Sequence, residues 1–276
     1  MKKFEEEFSR VYPSFSFLLQ YMQEALGVEE VTWKDMTIDN LCTIREFLEE
    51  NYTANYAFTL CGIFKAFLAR FTDAGLPCGD EYRRALKVKK EPSEQITLSE
   101  EEMALIEAYV PETKGEREVK AQFMCEYYSL ARSCDINLFT EKNIDVNRGI
   151  ITYVAKKTKK KAIVPLHRNF LKYFHERGGE KSRWFYNHTM KKICRKCGIT
   201  QEIRAFYRGK EQIMPKCEFV GSHTARRSGA TNLAKRGVPV PTIAMMMSHG
   251  QDFQMTQRYI WIDEIQLDEK GEEFFK

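Results

Sequence analysis

Apolar residues recur at helical spacing through most of this 276-residue chain, and this periodicity restricts its fold more than any other feature. The first third predicts helices over Phe4 to Leu26 with an interruption near Pro13, over Asp39 to Asn51, and over Asn55 to Ala74 with an end at Gly75. The sequence of the first 90 residues carries no strand pattern. This part is therefore predicted to be helical, with the apolar stripes packed into a core.

A clear strand pattern occurs only around residues 149–165. Residues 149–154 and 162–165 are rich in β-branched side chains, and the stretch 155–161 between them contains five lysines. This pattern predicts a β-hairpin with a lysine-rich tip. A second hairpin is predicted over 203–219, and helical patterns return at 167–177, 187–197, 223–236, 241–248 and 255–262. The chain is thus predicted to be mainly α with a small β-sheet.

The stretch 87–94 is polar and strongly charged and contains Pro92, which is typical of a linker. Thr97 or Ser99 then caps a new helix. We predict a helical domain over residues 1–90, a linker over 91–96, a second domain over 97–262 and an acidic tail over 263–276.

Positive charge is concentrated in the second domain. Residues 1–94 contain 12 basic and 16 acidic residues, a net charge of −4, whereas residues 95–261 contain 29 and 17, a net charge of +12. Such a concentration is expected of a surface that binds phosphate, although a solvated charged face has the same composition.

Several classes of protein are disfavoured by composition. No apolar stretch is long enough to span a membrane, and the N-terminus MKKFEEEFSR has no secretory signal core. A cytoplasmic location is therefore expected, and the eight cysteines are expected to be reduced and packed as small apolar groups.

The strongest local motif is SHTARRS over residues 222–228. His223 and Arg226 are three positions apart and share one face of a predicted helix, for which Ser222 is the expected N-cap. A histidine, a guanidinium and the free amides of a helix N-terminus could together bind one phosphate. Taken alone, the motif also fits an exposed helix start with incidental charges.

Three weaker signals accompany this motif. Arg132 lies among apolar residues, where an arginine is costly unless paired, and Asp135 is its natural partner one helical turn later. The lysine-rich hairpin tip is either exposed charge or a group that reaches a DNA groove. His249 is followed ten positions later by Tyr259, which alone would be an ordinary amphipathic core residue.

In order and spacing, these residues resemble the tyrosine recombinase, or phage integrase, family. That family has an arginine followed three residues later by an acid, a lysine on a β-hairpin, His-x-x-Arg, a histidine or tryptophan, and a tyrosine near the C-terminus. The chain offers, in the same order, Arg132, Asp135, Lys157, His223, Arg226, His249 and Tyr259. The resemblance covers residues 95–262 by motif and the N-terminal part by architecture, and has the character of integrases from conjugative or mobilizable elements.

The resemblance implies a role for each of these residues. Tyr259 would become a 3′-phosphotyrosyl ester, and the two arginines would bind the non-bridging phosphate oxygens. His223 would shuttle a proton and help position the tyrosine, and His249 would hydrogen-bond the phosphate. Lys157 would be the general acid for the 5′-hydroxyl leaving group, although Lys156, Lys159 or Lys160 could serve instead.

The resemblance also implies a fold, partners and the absence of a metal or other cofactor. Residues 1–90 would be a helical SAM-like core-binding domain, and 97–262 a mixed α/β tyrosine-recombinase catalytic domain. Double-stranded DNA with specific attachment sites would be bound by a homotetramer that is monomeric when free, and strands would be exchanged through a Holliday junction. The tail 263–276 would pack on a neighbouring protomer. The predicted DNA-binding residues are Lys156, Lys159, Lys160, Arg227, Arg83, Arg84, Lys87, Lys89 and Lys90.

The chain departs from the family pattern in places, and other functions are open. Leu130 and Ala131 stand where the family usually has Thr-Gly, and the interval from His249 to Tyr259 is one residue longer than usual. A relaxing enzyme of the type IB topoisomerase kind and a DNA-binding regulator without catalysis are the nearest alternatives. A zinc module is a weaker one, with ligands drawn from Cys194, Cys197, Cys217 and His223.

Overall fold

Helices make up most of the chain in the computed structural model, which describes residues 3–71, 75–91, 96–207, 210–257 and 259–260. The prediction of a mainly α chain with small β-sheets is confirmed. The chain divides into two compact units, one of residues up to 94 with 206–212, the other of residues 95–205 and from 213 onward. No helix in the described ranges is both long and apolar enough to cross a membrane.

Two of the five helices described in the first unit begin at threonine caps. The hydroxyls of Thr37 and Thr53 accept hydrogen bonds from the Asn40 and Tyr56 amides at their starts. Pro13 begins a 3₁₀ turn that separates the first two helices, as predicted. The helices are α1 (Phe4–Val11), α2 (Phe17–Leu26), α3 (Ile38–Asn51), α4 (Ala54–Leu68) and α5 (Tyr82–Ala85).

The end of α4 differs from the prediction. The helix ends at Leu68 rather than at Gly75, because the amides of Arg70 and Phe71 bond to carbonyls three residues back. This tighter turn brings the Phe71 ring to 4.7 Å from that of Trp33. The sequence pattern continued past the helix because the aromatic residue after it still belongs to the same core.

The second unit is organised around one buried helix. Its helices are α6 (Glu100–Ala108), α7 (Lys114–Ser129), α8 (Ser133–Ile136), α9 (Phe170–Glu176), α10 (Arg183–Lys196), α11 (Thr224–Lys235), α12 (Val240–Met246) and α13 (Phe253–Gln257). Helix α7 packs against α9, α10 and α11 and is buried over most of its last eleven residues. The sequence analysis assigned no helix there, because buried polar residues such as Glu116, Lys120 and Glu126 erase the apolar stripe.

Caps explain two of the boundaries in this unit. Ser99 forms a capping box with Glu102 at the start of α6, which confirms one of the two predicted caps. Helix α10 begins at Arg183, four residues before the predicted start, because Ser182 accepts a hydrogen bond from the Phe185 amide at 3.2 Å.

Two small antiparallel sheets complete the fold. The predicted hairpin is formed by β2 (Ile150–Val154) and β3 (Lys161–Pro165), with Thr152 opposite Ile163, and β1 (Ile144–Asp145) adds a short strand beside β2. The predicted second hairpin is also present, as β4 (Glu202–Tyr207) and β5 (Lys210–Pro215). Alternate residues of β2 and β3 point into the core of the second unit, so the hairpin tip extends from a fixed base.

Candidate active site

The site is built where α7 and α11 approach each other closely. Gly229 of α11 makes the approach possible, since a Cβ atom there would lie 2.5 Å from the Tyr127 carbonyl oxygen of α7. Helix α7 ends at Leu130 in the left-handed conformation, with φ of 52°, and the chain then runs extended through Arg132, the N-cap of α8. The end of one helix and the face of the other thus form one side of the site.

Arg226 is the most deeply buried group of the site, with no exposed surface. Its guanidinium donates to the carbonyl oxygens of Leu130 and of Met247, the latter at 2.7 Å, and lies 3.0 Å from Nε2 of His249. Burial lowers the pKa of this guanidinium, although an arginine stays charged at neutral pH. Neutral backbone carbonyl groups therefore hold the positively charged guanidinium of Arg226 in place.

Arg132 reaches the same segment from α8. Its Nη1 atom donates to Ser248 Oγ at 3.2 Å and lies 3.8 Å from Oδ2 of Asp135, so the predicted partnership is a loose ion pair. The other oxygen of Asp135 accepts a hydrogen bond from the Lys156 amide at 2.8 Å, which ties the carboxylate to the hairpin. Arg132 and Arg226 therefore meet at the consecutive residues 247–249.

His249 is buried and held through both ring nitrogens. Nε2 faces Arg226, and Nδ1 lies 2.9 Å from Oγ1 of Thr256. Because an arginine only donates, Nε2 accepts and Nδ1 carries the hydrogen that bonds to Thr256. Burial, followed by the charges of Arg226 and Arg132, lowers the pKa of His249 to about 4, so the ring is neutral at pH 7.

Tyr259 lies beside this cluster and is half-buried. Its ring centroid is 5.3 Å from that of His249, and the guanidinium carbons of Arg226 and Arg227 lie 5.5 and 5.8 Å from it. The Tyr259 carbonyl accepts a hydrogen bond from Oγ1 of Thr231 at 3.0 Å. Two cations and a histidine thus surround the ring of the predicted nucleophile.

His223 occupies the start of α11 but is not placed as the motif suggested. The N-cap is His223 itself and not Ser222, because two hydrogen bonds close a tight turn before it. The Thr224 amide donates to the Gly221 carbonyl at 2.9 Å, and the Gly221 amide donates to Thr224 Oγ1 at 3.0 Å. The buried Nδ1 atom of His223 has no hydrogen-bond partner among the described residues. Burial, followed by the charges of Arg227 and Arg226, lowers its pKa to about 4.

The lysine-rich tip is fastened to the site. Lys160 Nζ donates to the His249 carbonyl at 2.7 Å, and Thr158 Oγ1 donates to the Ser248 carbonyl at 3.2 Å. Lys156 and Lys157 have exposed side chains on the same turn. The tip is therefore held beside residues 248 and 249 before any ligand is present.

Sequence reasoning missed three of the residues that shape the site. Ser248, with φ of 56°, binds Arg132, Thr256 fixes the tautomer of His249, and Tyr153 donates to the Met246 carbonyl at 3.4 Å. Only Ser248 had a signal, as the neighbour of a predicted site histidine. The predicted DNA-binding residues Arg83, Arg84 and Lys89 are exposed on the first unit.

The cysteines of the zinc alternative lie in or against a hydrophobic core. Cys194 and Cys217 are fully buried in the core of the second unit, and Cys197 packs against it. Among the described residues no group of three or more histidine, cysteine or acidic side chains is arranged to hold a metal ion. The cluster rich in positive charge around Arg226 is instead suited to an anion.

Comparison with known proteins agrees with this arrangement. The model of the phage integrase family matches residues 96–264, more than half of the chain. No curated protein matches the sequence.

Two solved structures share the fold along nearly the whole chain. The Tn1549 transposon integrase in complex with transposon right end DNA is 12% identical, with 99% of this chain and 100% of that chain covered and a TM-score of 0.67. A lambda integrase dimer bound to a COC′ core site is also 12% identical, with 91% of each chain covered and a TM-score of 0.63.

Proposed function

This chain belongs to the phage integrase family and is a tyrosine site-specific recombinase, and we propose that it cuts and rejoins DNA with Tyr259 as its nucleophile. The observation that carries the proposal is the convergence of Arg132 and Arg226 on residues 247–249. The Tyr259 ring lies 5.3 Å from that of His249, within the same cluster.

A phosphodiester resists attack because its negative charge repels nucleophiles. The two arginines can offset that charge. A planar guanidinium can donate two hydrogen bonds to phosphate oxygens and remains charged throughout the reaction. Arg226 is shielded from water, so its field acts strongly at short range, while the Arg132 side chain is 9% exposed at the edge of the cluster. Charge fixed in advance by the protein stabilises the crowded transition state more than mobile solvent does.

The two histidines would take different parts. His249 has no ring hydrogen left for a phosphate, because Nε2 accepts from Arg226 and Nδ1 donates to Thr256. It would donate to a phosphate oxygen only after the anion raises the pKa of the ring and the ring takes up a proton from solvent. His223 is neutral and its Nδ1 has no partner among the described residues, so we assign it to take the phenol proton of Tyr259.

The covalent step then balances as a transesterification. The Tyr259 oxygen forms a bond to phosphorus, the bond from phosphorus to the 5′ oxygen breaks, and the 5′ oxygen takes a proton from a lysine ammonium. We assign that proton to Lys157, because its side chain is exposed on the tip while the Lys160 ammonium is bound to the His249 carbonyl. Attack of a 5′-hydroxyl on the phosphotyrosyl ester reverses the step and rejoins a strand.

Double-stranded DNA carrying specific attachment sites is the proposed partner. Exposed basic side chains on the tip and near the linker, such as Lys156, Lys159 and Arg84, support it, as does the net charge of +12 over residues 95–261. Similar integrases have been solved with transposon end DNA and with a core site. We further propose that residues 1–90 and 97–262 act as separate DNA-binding and catalytic domains. Four protomers would hold a Holliday junction, and the tail 263–276 would link neighbours.

Covalent capture tests the nucleophile directly. A nicked duplex with a randomised central segment is incubated with the full chain, and DNA that stays attached to denatured protein is recovered, amplified and sequenced. The wild type is expected to enrich one sequence and to form an adduct with it. Tyr259→Phe should form none, because phenylalanine lacks the attacking oxygen.

The control for this experiment is a tyrosine of the first unit. Tyr56→Phe also removes a phenol hydroxyl, but one with no role in the proposed reaction, and should leave the adduct yield unchanged. An adduct that persists in Tyr259→Phe would overturn the assignment, and adducts spread over random sequence would favour a relaxing enzyme over a site-specific one.

A further inference from the structure

Glu126 of α7 is a buried carboxylate close to the site that the proposed chemistry does not use. It has no exposed surface. Oε1 accepts hydrogen bonds from Ser133 Oγ at 2.7 Å and from Gln122 Nε2 at 3.0 Å, and Oε2 accepts one from the Tyr186 hydroxyl at 2.9 Å. All three of these donors are neutral groups.

Such an arrangement is costly to fold. A buried carboxylate is destabilised by loss of water, and neutral donors compensate less than a paired cation does. Burial raises the pKa of Glu126 to about 7, against the lowering effect of its three hydrogen bonds and of the Arg226 charge. An apolar residue would fill a core position on α7 at lower cost, so the contacts of the carboxylate need an explanation.

The contacts lead to the site through Ser133. This residue directly follows Arg132 and forms the first turn of α8. Its hydroxyl also lies 3.4 Å from the carbonyl oxygen of Ser222, the residue before His223. One hydroxyl, held by Glu126, therefore stands between the segment that carries Arg132 and the segment that carries His223.

We propose that Glu126 is a positioning residue, which fixes Ser133 and thereby the spacing between the backbone segments of Arg132 and His223. The single hydroxyl hydrogen of Ser133 is shared between two acceptors, the carboxylate oxygen at 2.7 Å and the Ser222 carbonyl oxygen at 3.4 Å, of which the carboxylate is the stronger. The Tyr186 hydroxyl anchors the other carboxylate oxygen to α10, so the carboxylate cannot rotate freely. The positions of Arg132 and of the Ser222 carbonyl are thus fixed relative to the core of the second unit.

The inference rests on the proposed function and is tested by a double-mutant cycle on the captured duplex. Glu126→Leu and Ser133→Ala should each slow single-turnover adduct formation by about tenfold at saturating DNA, because each removes one partner of the Glu126–Ser133 hydrogen bond and misplaced catalytic groups lose rate. DNA affinity should change by no more than about twofold, since the phosphate-binding side chains remain. The double variant should be no slower than Ser133→Ala, because both changes break the same connection.

Two controls separate positioning from general damage. Glu107→Leu removes another carboxylate of this unit with three donors, Tyr128, Tyr173 and Asn169, and should leave the rate unchanged. Ser133→Thr keeps the hydroxyl and should restore most of the rate lost in Ser133→Ala. This pair of serine variants tests the proposal even if Glu126→Leu fails to fold.

The outcomes are distinguishable. Rate losses that multiply in the double variant, or equal rates for Ser133→Ala and Ser133→Thr, would sink the positioning role. If the wild type itself forms no adduct, the proposed function has failed, and the positioning role fails with it. If the wild type reacts, the rates of the Ser133 variants decide the positioning role alone.

Discussion

The two units are held together by different chemistry. In the first unit the Phe67 ring packs against those of Phe4, Phe8 and Trp33 at 4.9 to 5.8 Å, and Glu7 is the one polar or charged residue buried among those described. In the second unit sixteen polar or charged residues of the described ranges are buried, among them Arg226 and Glu126 with no exposure at all. The first core is thus held by aromatic packing, whereas the second also holds buried charge, as the proposed phosphate site would require.

The largest effect is expected from a change at Arg226, a fully buried cation of the second unit. Arg226→Lys should reduce the rate of adduct formation by about a thousandfold, because lysine cannot reproduce the planar set of donors to two carbonyls and a phosphate. Single-turnover capture at saturating DNA measures it. Arg45→Lys is the matched control, since Arg45 also donates to a backbone carbonyl, that of Ala85 at 3.1 Å, but lies in the first unit. A loss of the same size in both variants would contradict the expectation that only the arginine of the second unit takes part in the reaction.

The next largest effect is expected on stability, from a change in the aromatic core of the first unit. Phe67→Ala should lower the free energy of unfolding by about 3–4 kcal/mol, because it leaves a cavity beside the rings of Phe4, Phe8 and Trp33. Urea unfolding measures the loss. The chemical rate at saturating DNA should stay within about twofold of the wild type, because this core consists of residues of the first unit and the proposed site residues belong to the second. A much slower chemical step would mean that the aromatic core does more than support the fold.

The smallest effect is a dependence on pH that only one unit should have. All five histidines lie beyond residue 95, and the pKa of both His223 and His249 is lowered from 6.5 to about 4. At these two histidines the folded chain therefore binds fewer protons than the unfolded chain between these values, and the raised pKa of Glu126 opposes the effect in part. The stability that the neutral rings contribute is complete above pH 6.5 and is lost as the pH falls towards 4.

Hydrogen exchange resolved by peptide distinguishes the two units in that window. Protection in the second unit should fall between pH 6.5 and pH 4 more than protection in the first, after correction for the intrinsic exchange rate. His249→Gln should make the dependence shallower, because glutamine does not titrate. An equal decline in both units would assign the effect to carboxylates instead.

The same contrast explains what the sequence could predict. The first unit follows rules that act over a few residues, such as the break at Pro13 and the apolar stripes, so most of its helices were anticipated. Helix α7 was missed because its buried face carries Glu116, Lys120 and Glu126. Some of their partners lie far away in the sequence, such as Lys196 for Glu116 and Tyr186 for Glu126, and leave no local pattern.

The site shows the same limit at the level of single residues. The order of Arg132, His223, Arg226, His249 and Tyr259 identified the candidates, but not the contacts that hold them. For example, the acceptor role of His249 Nε2 is set by Arg226, which lies 23 positions away in the sequence. The left-handed backbone at positions 130 and 248 depends on packing, because leucine and serine have no preference for it.

Gly229 has a consequence for anyone who would alter this enzyme. The backbone of Tyr127 leaves no room for a methyl group at position 229, so even alanine would push α11 away from α7. Arg226 is on that helix, one turn earlier, and would move with it. In a mutagenesis library screened for new target preference, position 229 should therefore tolerate almost nothing, while the exposed basic residues of the tip remain open to change.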